Sequence, residues 1–208
     1  MRFNHIFKLT NENETHREYK CDNVNINIDF ISGSALRVAV FNDNAEMLPT
    51  FTVNPNNNLS SLGRSRLSVD GFDCVAPVVE KFENKEKFVL DCGVTVDLDL
   101  NNFILSYSKE SKLLFADRAP LAYNFEGEFG NGSYHYITRE DDEHIFGLGD
   151  KSGLINKAGQ VYRVETADSM GFDAEKNRPS VQARSVLYLR KFCWCLRYLL
   201  RYNRHLFC

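Results

Sequence analysis

The sequence has no basic excess. Its 208 residues carry 25 Lys and Arg against 28 Asp and Glu, a net charge of −3. Nucleic-acid binders carry a concentrated positive face, so that class is set aside. No uncharged apolar run approaches the roughly 18 residues that a membrane-spanning helix needs, and no membrane partner is expected. Residues 1–20 lack the unbroken apolar core and small-residue cleavage site of a secretory signal. Proline is scarce, at 5, and there is a single Trp. No stretch before residue 180 holds a long period of 3.6, which argues against a helix bundle and against βαβ units. The six cysteines, Cys21, Cys74, Cys92, Cys193, Cys195 and Cys208, follow no regular spacing. Together with the missing signal, this predicts free thiols in a reducing, cytoplasmic setting. The sequons at Asn13, Asn58 and Asn131 are then chance matches.

What is present is a globular composition, 43% hydrophobic and 12% aromatic, arranged with a period of two. Strands are predicted at 24–31, 35–42, 72–80, 87–92, 94–100, 103–108 and 112–117. In 94–100, Val94, Val96, Leu98 and Leu100 share one face while Thr95, Asp97 and Asp99 share the other, as in a strand with one wet face. Turn residues separate the runs at Ser32-Gly33-Ser34, Asn101-Asn102, Lys109-Glu110-Ser111 and Gly130-Asn131-Gly132. Asn101-Asn102 suits a two-residue hairpin, and the charge run 80–87 reads as a solvated turn. Many short strands with frequent turns predict an all-β antiparallel sandwich.

The composition breaks after Pro179. Residues 180–208 contain six basic residues, Arg184, Arg190, Lys191, Arg197, Arg201 and Arg204, no acid, Trp194 and three of the cysteines. Residues 1–179 therefore hold 25 − 6 = 19 basic and 28 acidic residues, a charge of −9. Such a shift marks a boundary. A membrane-surface helix or a partner helix would need a clean apolar face, which the spread of the arginines denies.

Chemical motifs are sparse. Gly147-Leu148-Gly149 lacks the third glycine and following helix of a dinucleotide fingerprint and reads as a tight turn ending a strand. None of His5, His16, His135, His144 and His205 pairs at metal-ligand spacing, so no metal or cofactor is expected. His135 and His144 are predicted to be sheet-face residues. Acids gather at 140–143, as a turn before a strand, and around Asp168 and Asp173, in a loop where a carboxylate could bind polyol hydroxyls.

From about Arg37 to Pro179 the order of pieces resembles the N-terminal domain of glycoside hydrolase family 31, the α-glucosidase and α-xylosidase family. EHIFGLGD (143–150) resembles that family's E-x-I-Y-G-L-G-E strand and turn, and Gly153-Leu154-Ile155-Asn156-Lys157-Ala158-Gly159 the loop that follows. YRVETADSMGFDAEKNRP (162–179) resembles its Y-x-x-W-N-x-D-A-x-G-Y-D-x-x-x-x-x-P segment, with Glu165 and Thr166 replacing the usual Trp and Asn. Past Pro179 the family continues L-Y-K-x-x-P-F-Y-I and then Y-G-I-x-x-D. Read from the second base of each codon, with permitted synonymous codons, residues 180–208 yield LYKHVPFYICENSVGVYGIYYDTTDTSF. A frameshift near codon 180 is therefore expected, making 180–208 an out-of-frame tail and not a domain.

The resemblance implies a galactose mutarotase-like β-sandwich over 1–179, with 150–179 a substrate-pocket loop. It implies retaining hydrolysis of α-linked oligosaccharides or glucosides by two carboxylates about 5–5.5 Å apart. Both belong to a following (β/α)8 barrel of roughly 250 residues, so no catalytic residue is assigned here and the chain alone is expected to be inactive. Asp168 falls on the family's loop aspartate, which would accept hydrogen bonds from sugar hydroxyls. A free-standing carbohydrate-binding or adaptor sandwich and, with less support, a mutarotase-like epimerase are the other readings.

Overall fold

A computed structural model describes residues 5–45, 64–124, 134–147 and 154–160, with the strand backbones at 185–191 and 194–200. Among the described residues all regular structure is β, and every strand pairing is antiparallel. The chain divides into two compact units, residues 1–121 and 122–208.

Among the described residues, the first unit holds two sheets. β1 (Lys8–Glu12), β2 (His16–Cys21), β3 (Val24–Ser32) and β4 (Ala35–Asn42) form one in sequence order. β5 (Val78–Lys81), β6 (Lys85–Val89), β7 (Val94–Asp99), β8 (Ile104–Lys109) and β9 (Lys112–Ala116) form the other. They pack face to face as the expected sandwich. Alternate residues point inward: Val24, Ile26, Ile28 and Phe30 from β3 meet Phe88, Val96, Leu98 and Leu105 from the second sheet, all buried. Phe30 and Phe88 lie with ring centroids 5.2 Å apart across the layers. Phe103 receives the edges of Phe7 and Tyr19, each at 5.3 Å. Fully burying an aliphatic or aromatic side chain stabilises by about 1.5–3 kcal/mol, so this apolar layer is the main favourable term.

A polar contact runs through the same interface. Tyr19 donates to Glu86 Oε2 at 2.7 Å. Arg17 lies 3.7 Å from that oxygen, bonds Glu12, and stacks its guanidinium over the Phe88 ring at 5.4 Å. Lys81 closes the cluster on Glu12 at 2.8 Å. Burial, and then the hydrogen bond to Glu86, push the Tyr19 phenol upward, so it stays a donor. The hydrogen bond from Lys81, then that from Arg17, hold the Glu12 carboxyl below its usual range.

Three expectations need correction here. The charge run 80–87 is not simply a solvated turn. Only residues 82–84 turn, and the second half is a strand that buries Glu86 and Phe88. The strand expected at 72–80 is confined to β5, and residues 72–77 are irregular. The hairpin at Asn101-Asn102 is wider than two residues, because Asp99 pairs with Ile104. The left-handed pair moves to Asn102 and Phe103, at φ 61° and 51°. Left-handed backbone is unfavourable for a bulky side chain, and it is held here by complete burial of the Phe103 ring. Gly33 is needed for space: a Cβ there would stand 2.9 Å from the Asp91 Cβ, where the β3–β4 turn meets the β6–β7 turn.

The outer face of the first sheet is also partly covered. Residues 16, 29 and 37 stand in register across β2, β3 and β4. Asp29 accepts from Arg37 Nε at 2.8 Å and faces His16 Nδ1 at 2.6 Å. Arg37 also donates to the carbonyls of Arg66, Leu67 and Ser68, drawing that segment over the sheet. Asn27 and Asp29 are buried as a result.

In the second unit, β10 (Tyr123–Asn124) pairs with β11 (Tyr134–His135). β12 (His144–Gly147) pairs with β13 (Ser185–Lys191), which pairs with β14 (Trp194–Leu200). The segment expected to be a tail thus contains these last two strands.

His16 yields a pH prediction. Nε2 lies 3.0 Å from Glu18, so both ring nitrogens face carboxylates and both donate only in the imidazolium. Burial lowers its pKa, but the bonds to Asp29 and Glu18 outweigh that, and the net shift is upward from 6.5. The stabilisation is therefore complete below 6.5 and is lost as pH rises through the raised folded value. In urea unfolding, the stability gap between the native chain and His16→Gln is expected to be largest in mild acid and to shrink towards alkaline pH. A gap that widens with pH would contradict this.

Candidate functional site

The motif-bearing chain begins at β12. Its first residue follows a turn closed by Glu143, whose Oε2 accepts from the Glu140 N–H at 3.1 Å. Glu143 is buried, unlike the rest of that acidic cluster. β12 ends at Gly147 with φ 107°, a conformation that L side chains rarely adopt; Leu148 and Gly149, with the tight turn expected there, lie outside the described residues. His144 lies on β12 and His135 on β11, where it stacks on its cross-strand partner Tyr123 at 4.3 Å and 7°.

Residues 154–160 are fastened to β12 by one side chain. Asn156 Oδ1 accepts from the Ile145 N–H at 3.0 Å and the Ala158 N–H at 3.1 Å. Its Nδ2 lies 3.0 Å from His144 Nδ1. Two backbone donors decide which end of the amide is oxygen, so Nδ2 donates and His144 Nδ1 accepts. His144 then carries its proton on Nε2. The Lys157 N–H completes the clamp on the Ile145 carbonyl at 2.7 Å. Gly159, at φ 71°, turns the chain onward; nothing lies within 4 Å of where its Cβ would be, so backbone conformation alone calls for glycine. Asn156 was visible in the sequence only as part of a motif, with no role attached.

Asp168 and its neighbours Glu165, Thr166, Gly171, Asp173 and Pro179 lie outside the described residues. Asn156 stands twelve positions before Asp168 in the chain.

The buried acids of the first unit are engaged structurally. Glu86 is held by Tyr19 and Arg17, Asp29 by His16 and Arg37, and Asp117 accepts from the Leu105 N–H at 3.0 Å. An open depression of about 300 Å³ on the outer face of the first sheet is lined by Glu18, Asn25, Asn27, Phe41 and Asp43. Its Asp43 carboxyl is taken by Lys20, which holds it below its ordinary value with help from Asn25.

Asn156→Ala removes three hydrogen bonds and is expected to lower local stability by about 1–3 kcal/mol. Hydrogen exchange should show the Ile145 and Ala158 amides losing protection while those of β2, β3 and β6 keep theirs. Unchanged protection at Ile145 and Ala158 would contradict the clamp.

The family described as the glycosyl hydrolase 31 N-terminal galactose mutarotase-like domain matches residues 25–183. No curated protein sequence matches the chain. Among solved structures, a GH31 dextranase of Flavobacterium johnsoniae complexed with glucose superposes with a TM-score of 0.59 at 16% identity. A mutant of that dextranase complexed with isomaltotriose gives 0.60, also at 16%. Each likeness covers 90% of this chain and 23% of the dextranase chain, so this chain spans about a quarter of its neighbour's length. At that identity the structural likeness speaks for the fold alone, while the family match covers most of the sequence. The chain belongs to the glycosyl hydrolase 31 N-terminal galactose mutarotase-like domain family.

Proposed function

We propose that this chain is the N-terminal portion of a retaining α-glucosidase-like glycoside hydrolase. On this reading it contributes a sugar-contacting loop to an active site whose two carboxylates stand on a following (β/α)8 barrel. The observation that carries the reading is the Asn156 clamp. A loop that orients a substrate hydroxyl must leave its scaffold at a defined place, because small misplacements are costly in catalysis. Asp168 follows the clamp residue Asn156 by twelve positions in the chain.

Asp168 is the substrate-binding residue of the proposal. An ionised carboxylate accepts more than one hydroxyl, and charge-assisted bonds are the strong ones. The dextranase neighbours, complexed with isomaltotriose and glucose, support an α-linked glucan or glucoside as substrate class. The match ending at residue 183, close to the compositional break, supports an out-of-frame continuation from about residue 180.

Resequencing the gene across the codon for Pro179 and beyond is expected to reveal a gained or lost base, or a barrel that reads on in the alternative frame. In the frame-restored enzyme, Asp168→Ala should lower kcat/KM on an α-glucoside by about 100-fold or more, the equivalent of two lost charge-assisted bonds. An in-frame tail with no barrel behind it, or an unchanged kcat/KM, would defeat the reading.

A further inference from the structure

The clearest unassigned constellation lies at one end of the first unit, where three different metal-ligating side chains converge. Residues 5–7 are pinned to the β7–β8 turn: the Asn102 N–H donates to the His5 carbonyl at 2.7 Å, the His5 N–H donates to Asn102 Oδ1 at 2.9 Å, and Ile6 bridges Asn101. Cys21 ends β2 and Asp22 opens the β2–β3 turn with φ 52°. His5 Nδ1 stands 3.9 Å from Cys21 Sγ, and Asp22 Oδ2 also stands 3.9 Å from it. The imidazole, thiol and carboxylate donor atoms all lie within 4.8 Å of one another. In the sequence these residues are unremarkable, because the Cys21-Asp22 pair begins 16 positions after His5 and no histidine sits at ligand spacing.

We propose that His5, Cys21 and Asp22 form a three-ligand site for a borderline divalent transition metal such as zinc, with water as the fourth ligand. The donor set selects the metal. Nitrogen, sulfur and oxygen together suit zinc or cobalt, whereas magnesium and calcium take oxygen alone. The spacing suits it too. Bonds of about 2.3 Å to sulfur and about 2.0–2.1 Å to nitrogen or oxygen, at tetrahedral angles, place sulfur about 3.5 Å from each other donor. Closing each 3.9 Å edge onto such a metal needs only side-chain rotation at residues that are exposed or half-buried. Thiolate and carboxylate together neutralise the dication. Burial and the Asp22 charge push the Cys21 thiol upward, so binding must displace its proton.

The placement has a structural consequence. Cys21 ends β2 of the first sheet and Asp22 follows it in the β2–β3 turn, while His5 is held by the β7–β8 turn of the second. A bound metal would therefore cross-link the two layers and raise the melting temperature of the sandwich.

The test uses the full 208-residue chain carrying C193S, C195S and C208S, so that no thiol beyond residue 180 contributes. Cobalt(II) is titrated under reducing, anaerobic conditions. The expected result is a thiolate-to-cobalt charge-transfer band, with the visible bands of a tetrahedral centre, saturating at one equivalent. Cys21→Ser should abolish the charge-transfer band. His5→Gln, at an exposed position, should weaken binding by more than about tenfold, the effect already seen for losing outer-shell partners. Zinc should raise the melting temperature of the parent and not that of His5→Gln. A chain that develops no charge-transfer band, or a band that survives Cys21→Ser, would overturn the proposal.

Discussion

The structure turns on the buried contact between the two sheets at Tyr19 and Glu86, with Arg17 against it. Apolar side chains alone would let the layers slide, since burial is non-directional. A carboxylate enclosed in the core cannot move without losing its donors. Breaking a buried charged pair costs on the order of 3–5 kcal/mol, a large fraction of what a domain has to spare. The contact therefore specifies which residue of β2 faces which residue of β6. Once that register is set, Phe30 falls on Phe88, and Tyr19 meets the edge of Phe103. The left-handed β7–β8 turn follows from the Phe103 anchor, and that turn in turn holds residues 5–7.

The same contact explains why part of the fold was hidden in the sequence. β3, β4 and β7 alternate apolar and polar residues on a simple period and are legible. β2 is not, because its two inward residues are Arg17 and Tyr19, which read as polar. Glu86 was assigned to a solvated turn for the same reason. A charge whose partners lie 67 and 69 residues away gives no local signal. The burial of Asn27 and Asp29 gave no sequence signal either, because the segment at 66–68 that Arg37 captures shows no pattern of its own. For the candidate site, the order of the EHIFG strand, the loop after it and the Asp168 segment was legible as a resemblance. The use of Asn156 as a clamp was not, since an amide with three partners looks like any other loop asparagine.

On the proposed reading, labour is divided between parts of a larger enzyme. The sandwich commits its buried carboxylates to cohesion: Glu86 between the sheets, Asp29 between His16 and Arg37, Asp117 on the Leu105 amide. A carboxylate so engaged is poorly placed to act as nucleophile or proton donor, which needs a free face towards the substrate. In the second unit, Asn156 ties residues 156–158 to β12. On that reading the chain offers scaffold and positioning, and the bond-breaking groups stand on the proposed barrel.

The central claim is that the chain positions substrate and does not itself cleave it. The most direct measurement is the release of nitrophenol from a nitrophenyl α-glucoside by the pure 208-residue protein. The account predicts no turnover above the buffer rate at any protein concentration. Turnover that scales with protein and survives repurification would place a complete acid–base pair within these residues and contradict it.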